Sequence, residues 1–172
     1  MPDPLEGRLR GKVAIVFGAG SASEGWGNGK AAAVAYARAG ACVAAVDRDP
    51  AAAEVTRDLI LAEGGTAVAV EANAAVWTSV ERAVDQAKQA FGRIDILHNN
   101  VGITSQGGPV ETSEETWDEV MVTNVKSMFL TCKVILPLME AQGRAPSSTS
   151  ARSAASVGPA MPIAPTLQAR GR

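Results

Sequence analysis

The chain has 172 residues, of which 47% are apolar and 20% charged, and its formal net charge is −2. This length and composition fit one globular domain, and the nearly balanced charge argues against a nucleic-acid partner or a membrane surface. Cys42 and Cys132 form neither a zinc motif nor a disulfide framework, so we expect no metal site and a cytoplasmic location. The first residues are polar and no apolar run approaches the roughly 20 residues that span a bilayer, so neither a signal peptide nor a membrane helix is expected.

The first third of the chain alternates short apolar runs with helical segments. KVAIVFG is typical of a buried strand, and the alanine-rich KAAAVAYARAG predicts a helix that ends at Gly40. ACVAAVD predicts a second buried strand ending at Asp47. Asp49 and Pro50 then supply an N-cap and a first-turn proline for a helix to about Glu63. TAVAVEA predicts the third strand.

Beyond the third strand, capping-box spacing marks the start of two helices. Thr78 and Glu81 predict a helix that continues to about Phe91, and Thr112 and Glu115 predict a short helix. Between these helices, RIDILHNN is apolar enough for a fourth buried strand.

The remaining apolar segment predicts a long helix from roughly Asn124 to Gln142, with a kink at Pro137. Strands therefore alternate with helices of ten or more residues, a pattern typical of an α/β fold with a doubly wound parallel sheet. Right-handed crossovers favour the strand order 3-2-1-4.

The glycine-rich turn GAGSASEGWGNGKA, residues 18–31, follows a strand and opens a helix. Glycines let the backbone approach a pyrophosphate, and the helix N-terminus offers free N–H groups and a partial positive charge. This context predicts a nucleotide-binding turn. The alternative is a flexible turn without a ligand.

Asp47 ends the second strand, 18 residues after Gly29. A carboxylate at this place can accept hydrogen bonds from both adenosine ribose hydroxyls and repels a 2′-phosphate, which favours NAD over NADP. The neighbouring Arg48 weakens this inference, because its guanidinium could neutralise Asp47 or hold a phosphate. A solvated strand end is the other interpretation of Asp47.

Four features together resemble the short-chain dehydrogenases/reductases: the glycine turn, Asp47, NNVG at residues 99–102 and TNV around Asn124. The resemblance covers about residues 7–144 and implies an NAD(P)-binding Rossmann domain whose sheet is incomplete on its C-terminal side. It also implies hydride transfer between the nicotinamide and a small-molecule alcohol or carbonyl substrate. It implies as well that full-length members are homo-oligomeric, and it leaves open whether this incomplete chain is.

The resemblance further implies roles for single residues. Cofactor contacts are expected from Gly18, Gly20, Gly27, Asn28, Gly29, Asp47, Arg48, Asn73, Ala74, Asn100, Val101 and Gly102. Asn73 stands where the family usually has an aspartate near the adenine, and the insertion SASEG leaves the register of the middle glycine open. Asn124 matches the catalytic-site asparagine, which holds a water in a proton relay; its other interpretation is a polar residue at a helix start.

The family's reaction needs a tyrosine followed four positions later by a lysine, together with a serine that polarises the substrate oxygen. The only tyrosine in the sequence is Tyr36, and Gly40 lies four positions after it. Asn124 is thus the one member of the catalytic set that is present. His98, the only histidine, is interpreted as a packed neutral imidazole rather than a general base. An oxidoreductase and a non-catalytic nucleotide-binding remnant both stay open.

The last 28 residues differ in composition from the rest. Ala, Ser, Pro and Thr make up 18 of them, and they include three arginines and no acidic residue. Read one nucleotide earlier, codons for residues 145–150 can encode Gly-Ala-Ile-Val-Asn-Ile, and those of Thr166 and Arg170 can encode tyrosine and lysine. The hypothesis is a single-base frameshift near Arg144. On either this hypothesis or that of a natural extension, residues 145–172 are predicted to be disordered.

Overall fold

The computed structural model describes residues 7–21, 25–143 and 150–151. In this part of the chain, five parallel strands form one sheet in the order β3-β2-β1-β4-β5. The strands are β1 Val13–Phe17, β2 Cys42–Asp47, β3 Thr66–Glu71, β4 Ile96–Asn99 and β5 Ser150–Ala151. The predicted order 3-2-1-4 is confirmed.

Helices follow each of the first four strands. They are α1 Asn28–Arg38, α2 Pro50–Ala62, α3 Trp77–Phe91, α4 Glu114–Met121 and α5 Ser127–Ala141, with a π-helical turn at Val122–Lys126 between the last two. Asp49 caps α2 as predicted: its Oδ1 accepts a hydrogen bond from Ala51 N at 3.0 Å, and Pro50 is the first helical residue.

The sheet is buried on both faces, as a parallel sheet requires. Alternate side chains of β1 divide between two apolar clusters: Ile15 and Phe17 pack with α3 and α5, and Val16 packs with α1 and α2. The apolar strand runs are therefore buried continuously, and the two helical layers place all carboxyl ends of the strands at one edge of the sheet.

Two predicted helix starts are wrong by one or more residues. α3 begins at Trp77 with Val76 as N-cap and no side-chain cap, so Thr78 lies inside the helix. α4 is capped by Ser113, whose Oγ accepts from Thr116 N at 3.2 Å. Thr112 instead donates to the Gly108 carbonyl at 2.8 Å. In both cases the observed N-cap, Val76 or Ser113, differs from the threonine that the capping-box spacing predicts.

The short and long helices predicted near the end of the domain are one continuous helix, Glu114–Ala141, of 28 residues. Its most apolar stretch has a mean hydropathy of 1.3, so by length and composition alone it could cross a membrane. A core helix of a water-soluble protein meets the same test. Here Leu130, Ile135 and Met139 are buried against the sheet and α3.

The two residues of β5 pair in parallel with β4, His98 with Ser150 and Asn99 with Ala151. This pairing covers half of the β4 edge, on the side where the resemblance implies an incomplete sheet. The predicted disorder of residues 145–172 otherwise falls outside the described residues.

Candidate functional site

The candidate site lies where the carboxyl ends of β1, β2 and β4 meet. β1 is the neighbour of both other strands. The chain runs from β1 through β2 to β3 on one side and then crosses from β3 to β4 on the other side of β1, so the direction of the strand order reverses at β1. Ligands of open α/β sheets bind in the crevice at such a switch point. The glycine turn leaves β1 at this point.

The peptide group between Gly18 and Ala19 is held at both ends. The Gly18 carbonyl accepts a hydrogen bond from Asn100 Nδ2 at 3.2 Å, and Ala19 N donates to the Val46 carbonyl at 3.0 Å. Gly18 has φ of +75°, and a Cβ on it would lie 3.0 Å from Val101 N. Glycine is required here by both conformation and space.

The next peptide group, between Ala19 and Gly20, is held in the same way by two side chains. The Ala19 carbonyl accepts from Thr56 Oγ1 at 2.8 Å, and Gly20 N donates to Asp47 Oδ2 at 2.9 Å. The carbonyl and N–H of a trans peptide point in opposite directions, so Thr56 and Asp47 hold one plane from its two sides. The N–H of Gly20 is therefore already used within the protein.

The first helix packs directly under this part of the turn. A Cβ on Gly29 would overlap the Gly18 carbonyl and lie 2.8 Å from Asn100 Nδ2. A Cβ on Gly27 would approach the Gly20 carbonyl to 3.3 Å. Four predicted cofactor residues of the turn, Gly18, Gly20, Gly27 and Gly29, thus form one close-packed unit.

The N-terminus of α1 is open for an anion. Gly27 is its N-cap without a side-chain hydrogen bond, and the first bond within the helix runs from Ala31 N to the Gly27 carbonyl. The N–H groups of residues 28–30 precede that bond and have no partner within the helix. The exposed Asn28 is the first helical residue. The helix dipole adds a partial positive charge at this end.

Asp47 also accepts a hydrogen bond from Asp49 N, on Oδ1 at 3.1 Å. Each carboxylate oxygen therefore keeps a lone pair for a further donor. Arg48 is exposed, and within the described ranges no ion pair joins it to Asp47. The hydrogen bonds to the Asp47 carboxylate therefore come from the backbone N–H groups of Gly20 and Asp49.

Asn73 and Ala74 lie just beyond β3. Asn73 Oδ1 accepts from Ala75 N at 2.9 Å in a local turn, and Asn73 N donates to Ser79 Oγ at 3.0 Å. Ala74 is 4% exposed and belongs to the core beneath α3. Asn73 thus stands at the sheet edge where the resemblance puts an adenine contact, and that role stays a prediction.

The two asparagines after β4 act on opposite sides of the sheet. Asn99 Oδ1 accepts from Thr131 Oγ1 on α5 at 2.8 Å, whereas Asn100 reaches the glycine turn. Val101 packs against the core, and Gly102 is exposed, with space for a Cβ 3.6 Å from Asn124 Oδ1. The NNVG segment thereby links α5, the turn and Asn124.

Asn124 is 1% exposed and lies in the π-helical turn. Its Oδ1 accepts from Ile103 N at 2.8 Å, and its Nδ2 donates to the Ile103 carbonyl at 2.9 Å. Both halves of the amide are therefore engaged by one backbone residue. π turns within α-helices are frequent at functional sites, and this one brings Asn124 under the loop that follows β4.

Tyr36 and His98 form a pair away from the turn. Tyr36 Oη lies 3.0 Å from His98 Nδ1, and the rings meet edge to face with centroids 5.7 Å apart. Burial raises the pKa of Tyr36 and lowers the pKa of His98. A packed neutral imidazole is the environment we predicted for His98.

Sequence reasoning did not identify Thr56 or the backbone of Ile103. Thr56 does carry a signal: it lies between Ala53 and Ile60 on the buried face of α2, where a hydroxyl needs a partner. Ile103 has no such signal, because its contribution is a peptide group. Among the residues in the described ranges, no cluster of three or more His, Cys, Asp or Glu side chains could hold a metal ion.

Residues 12–152 match the family model described as short chain dehydrogenase. An uncharacterized oxidoreductase of Thermotoga maritima is 41% identical over 135 residues, which are 78% of this chain and 51% of the relative. A D-threitol dehydrogenase of Mycolicibacterium smegmatis is 37% identical over 139 residues, 80% of this chain and 52% of the relative.

Solved structures agree with this match. A putative short-chain dehydrogenase/reductase from Burkholderia xenovorans has a TM-score of 0.76 at 48% identity, covering 80% of this chain and 54% of its own. A hydroxysteroid dehydrogenase from Escherichia coli has a TM-score of 0.73 at 32% identity, covering 82% of this chain and 57% of its own. The chain spans about half the length of these relatives, and it belongs to the short-chain dehydrogenase family.

Proposed function

We propose that this chain forms the nicotinamide-dinucleotide site of an oxidoreductase acting on a small-molecule alcohol or carbonyl in the cytoplasm. The observation that carries the proposal is the close packing of the described glycines of the turn: Asn100 holds the Gly18 carbonyl, and Gly29 packs beneath it. Side chains at these glycines would fill the cradle. The family's chemistry, oxidation and reduction with NAD or NADP, supports the assignment at its general level.

The donors in the crevice fit a dinucleotide. The open N-terminus of α1 suits the pyrophosphate, and Asp47 retains acceptor capacity for ribose hydroxyls. The carboxylate has no arginine paired to it in the described part of the chain, so it would repel a 2′-phosphate. This supports NAD over NADP.

When bound, the nicotinamide accepts or supplies the hydride. The residues of this chain would hold and orient it: residues 28–30 at the pyrophosphate, Asp47 at the ribose, and the NNVG loop beside the ring. Asn124 fixes the backbone of Ile103 and thereby the loop after Gly102.

A second candidate function is nucleotide binding without turnover. The only tyrosine is half-buried on α1 and bonded to His98, and burial raises the pKa of Tyr36. An acid/base tyrosine needs the opposite shift, towards neutral pH, which a neighbouring lysine provides. Tyr36 is therefore not the acid/base group of the family's reaction.

The frameshift hypothesis connects the two candidates, since the earlier reading frame can restore the tyrosine and lysine. Sequencing the coding DNA tests it. A stop codon in the earlier frame, or the absence of a Tyr-x-x-x-Lys motif there, would reject it.

Cofactor titration tests the proposed site. We expect the purified chain to bind NADH at least about tenfold more tightly than NADPH, measured by calorimetry and by NADH fluorescence. Tighter NADPH binding would reverse the cofactor preference, and no binding of either at 1 mM would reject the site. Assays on a panel of alcohols and ketones then compare this chain with its frame-restored form, and we expect turnover only in the frame-restored form.

We also propose that the α4–α5 helix carries a self-association surface, which in the family lies at the dimer contact. Trp117, Val125 and Phe129 on this helix are 44%, 36% and 57% exposed. Exposed apolar side chains grouped on one element mark interaction sites more often than single ones do.

A further inference from the structure

We propose that Thr56 is a positioning residue of the dinucleotide site: it fixes the Ala19–Gly20 peptide from the side opposite Asp47. The ligand in this inference rests on the proposed function. The hydrogen bond from Thr56 to the Ala19 carbonyl, here called the bracing contact, is observed in the chain itself. Thr56 Oγ1 donates to the Ala19 carbonyl at 2.8 Å, and Gly20 N donates to Asp47 Oδ2 at 2.9 Å.

The position of Thr56 shows that its hydroxyl serves the turn. The residue is 0% exposed and lies on the face of α2 that contacts the sheet. A threonine within a helix ordinarily bonds the carbonyl four residues earlier, and the Ala52 carbonyl is available at 3.2 Å. The contact to Ala19 is 0.4 Å shorter than that to Ala52, so the hydroxyl favours the turn over its own helix.

Loss of this contact would act on the site through Asp47. Without Thr56 Oγ1, the Ala19 carbonyl is buried and unpaired, and the peptide can relieve this only by rotating. Rotation turns Gly20 N away from Asp47 Oδ2, and the carboxylate then loses the bond that orients it. A Cβ on Gly20 would lie 2.5 Å from that of Ala52, so α2 and the turn are in direct contact at this peptide.

The chain offers a matched control in Thr131. Thr131 is also 0% exposed, lies in a helix, and donates at 2.8 Å to a partner outside it, Asn99 Oδ1. It also lies 2.9 Å from a carbonyl of its own helix, that of Met128. It differs in lying on α5, on the opposite side of the sheet, and in bonding Asn99 rather than the turn itself, so its loss tests the cost of a buried hydroxyl that does not hold the turn directly.

The experiment compares Thr56→Val, Thr56→Ser and Thr131→Val with the wild type in two measurements. Hydrogen exchange by mass spectrometry follows the amides of residues 18–20, and calorimetry gives the Kd of NADH. We expect Thr56→Val to speed exchange at these amides and to raise the Kd of NADH, each by about tenfold. Thr56→Ser, which keeps the hydroxyl, should leave both close to the wild-type values. Thr131→Val, which reaches the turn only through the NNVG segment, should change each by less than about threefold.

Other outcomes are decisive in different ways. Unchanged exchange at residues 18–20 in Thr56→Val would overturn the inference whatever happens to the Kd. An equal rise in Kd for Thr131→Val would also overturn it, since the effect would then be general destabilisation. If the wild type binds no NADH but Thr56→Val still loosens the turn, the bracing contact is supported and the proposed cofactor site is rejected.

Discussion

The side-chain amide of Asn124 pairs with the backbone of Ile103 through both of its polar atoms, at 2.8 and 2.9 Å. Few side chains can mimic a peptide in this way; an amide supplies one acceptor and one donor in a single plane. The π-helical turn sets this amide at the level of the loop. Asn124 therefore attaches the loop after β4 to the long helix.

Replacing Asn124 should detach this loop. We expect Asn124→Ala to lower the free energy of unfolding by about 2 kcal/mol, because two backbone groups of Ile103 lose their partners. Asn124→Asp keeps the acceptor but loses the donor and buries a charge, so it should cost at least as much. Urea denaturation measures both.

Asn73→Ala is the control for these variants, because it also removes an asparagine that accepts a backbone N–H, that of Ala75. Asn73 is exposed, and water can replace the lost partner, so the cost should stay below about 1 kcal/mol. Equal costs for Asn73→Ala and Asn124→Ala would contradict the special role of the buried amide.

Substitutions at Gly29 and Gly102 distinguish a glycine that is needed for packing from a glycine that is needed for contact with the cofactor. In Gly29→Ala the new methyl group overlaps the Gly18 carbonyl, so we expect a loss of more than about 3 kcal/mol or no folded protein. In Gly102→Ala the methyl group meets only Asn124, at 3.6 Å, which is ordinary contact. This variant should keep its thermal midpoint while binding NADH more weakly, because Gly102 is predicted to line the cofactor.

Thermal melts of both glycine variants measure the effect on stability, and NADH titrations measure the effect on cofactor affinity. A Gly29→Ala protein as stable as the wild type would show that the turn is not packed on α1 as described. A Gly102→Ala protein with unchanged NADH affinity would remove that residue from the proposed site.

Stability should fall as the solution is acidified through the ordinary pKa of histidine, about 6.5. Burial lowers the pKa of His98 in the folded chain, so the unfolded chain binds more protons just below that pH, and protonation then favours unfolding. We expect His98→Gln to flatten the dependence of the urea midpoint on pH between 7 and 5.5. Tyr36→Phe should lower stability but keep the slope, because His98 stays buried. If the urea midpoint of His98→Gln depends on pH as steeply as that of the wild type, the loss of stability in acid comes from groups other than His98.

The place of the glycine turn and the strand end at Asp47 could be predicted because each depends on a local pattern, and the order of the sheet followed from the rule for right-handed crossovers. β1 and β2 are unbroken apolar runs, and the glycines between β1 and α1 leave little choice of structure. Asp47 ends β2 where the apolar run ends. The sequence therefore places the glycine turn and Asp47 together at this edge, and their roles towards a cofactor stay predictions.

The contacts that hold the turn could not be predicted, since they join residues far apart in sequence. Thr56 lies 37 positions from Ala19, and Asn100 lies 82 positions from Gly18. The predicted N-cap of α3 was wrong for a related reason. Asn73 N donates a hydrogen bond to Ser79 Oγ, so a residue inside the helix holds the loop that precedes it. Spacing rules record local partners only.

A polar substitution at Phe129 should weaken self-association of the chain. Phe129 is 57% exposed on α5, and Lys133 Nζ lies 5.5 Å from its ring. The ring gains from burial against another subunit and contributes little to the core of its own, so Phe129→Ser should lower the mass measured by light scattering while costing less than about 1 kcal/mol of stability. Val110 is 92% exposed and outside this helix, which makes Val110→Ser the matched control, expected to leave the mass unchanged. The measurements are made at about 50 to 100 μM, a concentration at which a weak dimer would form. A wild type that is monomeric there would reject the α4–α5 surface as a contact. An equal loss of mass in Val110→Ser would also reject it.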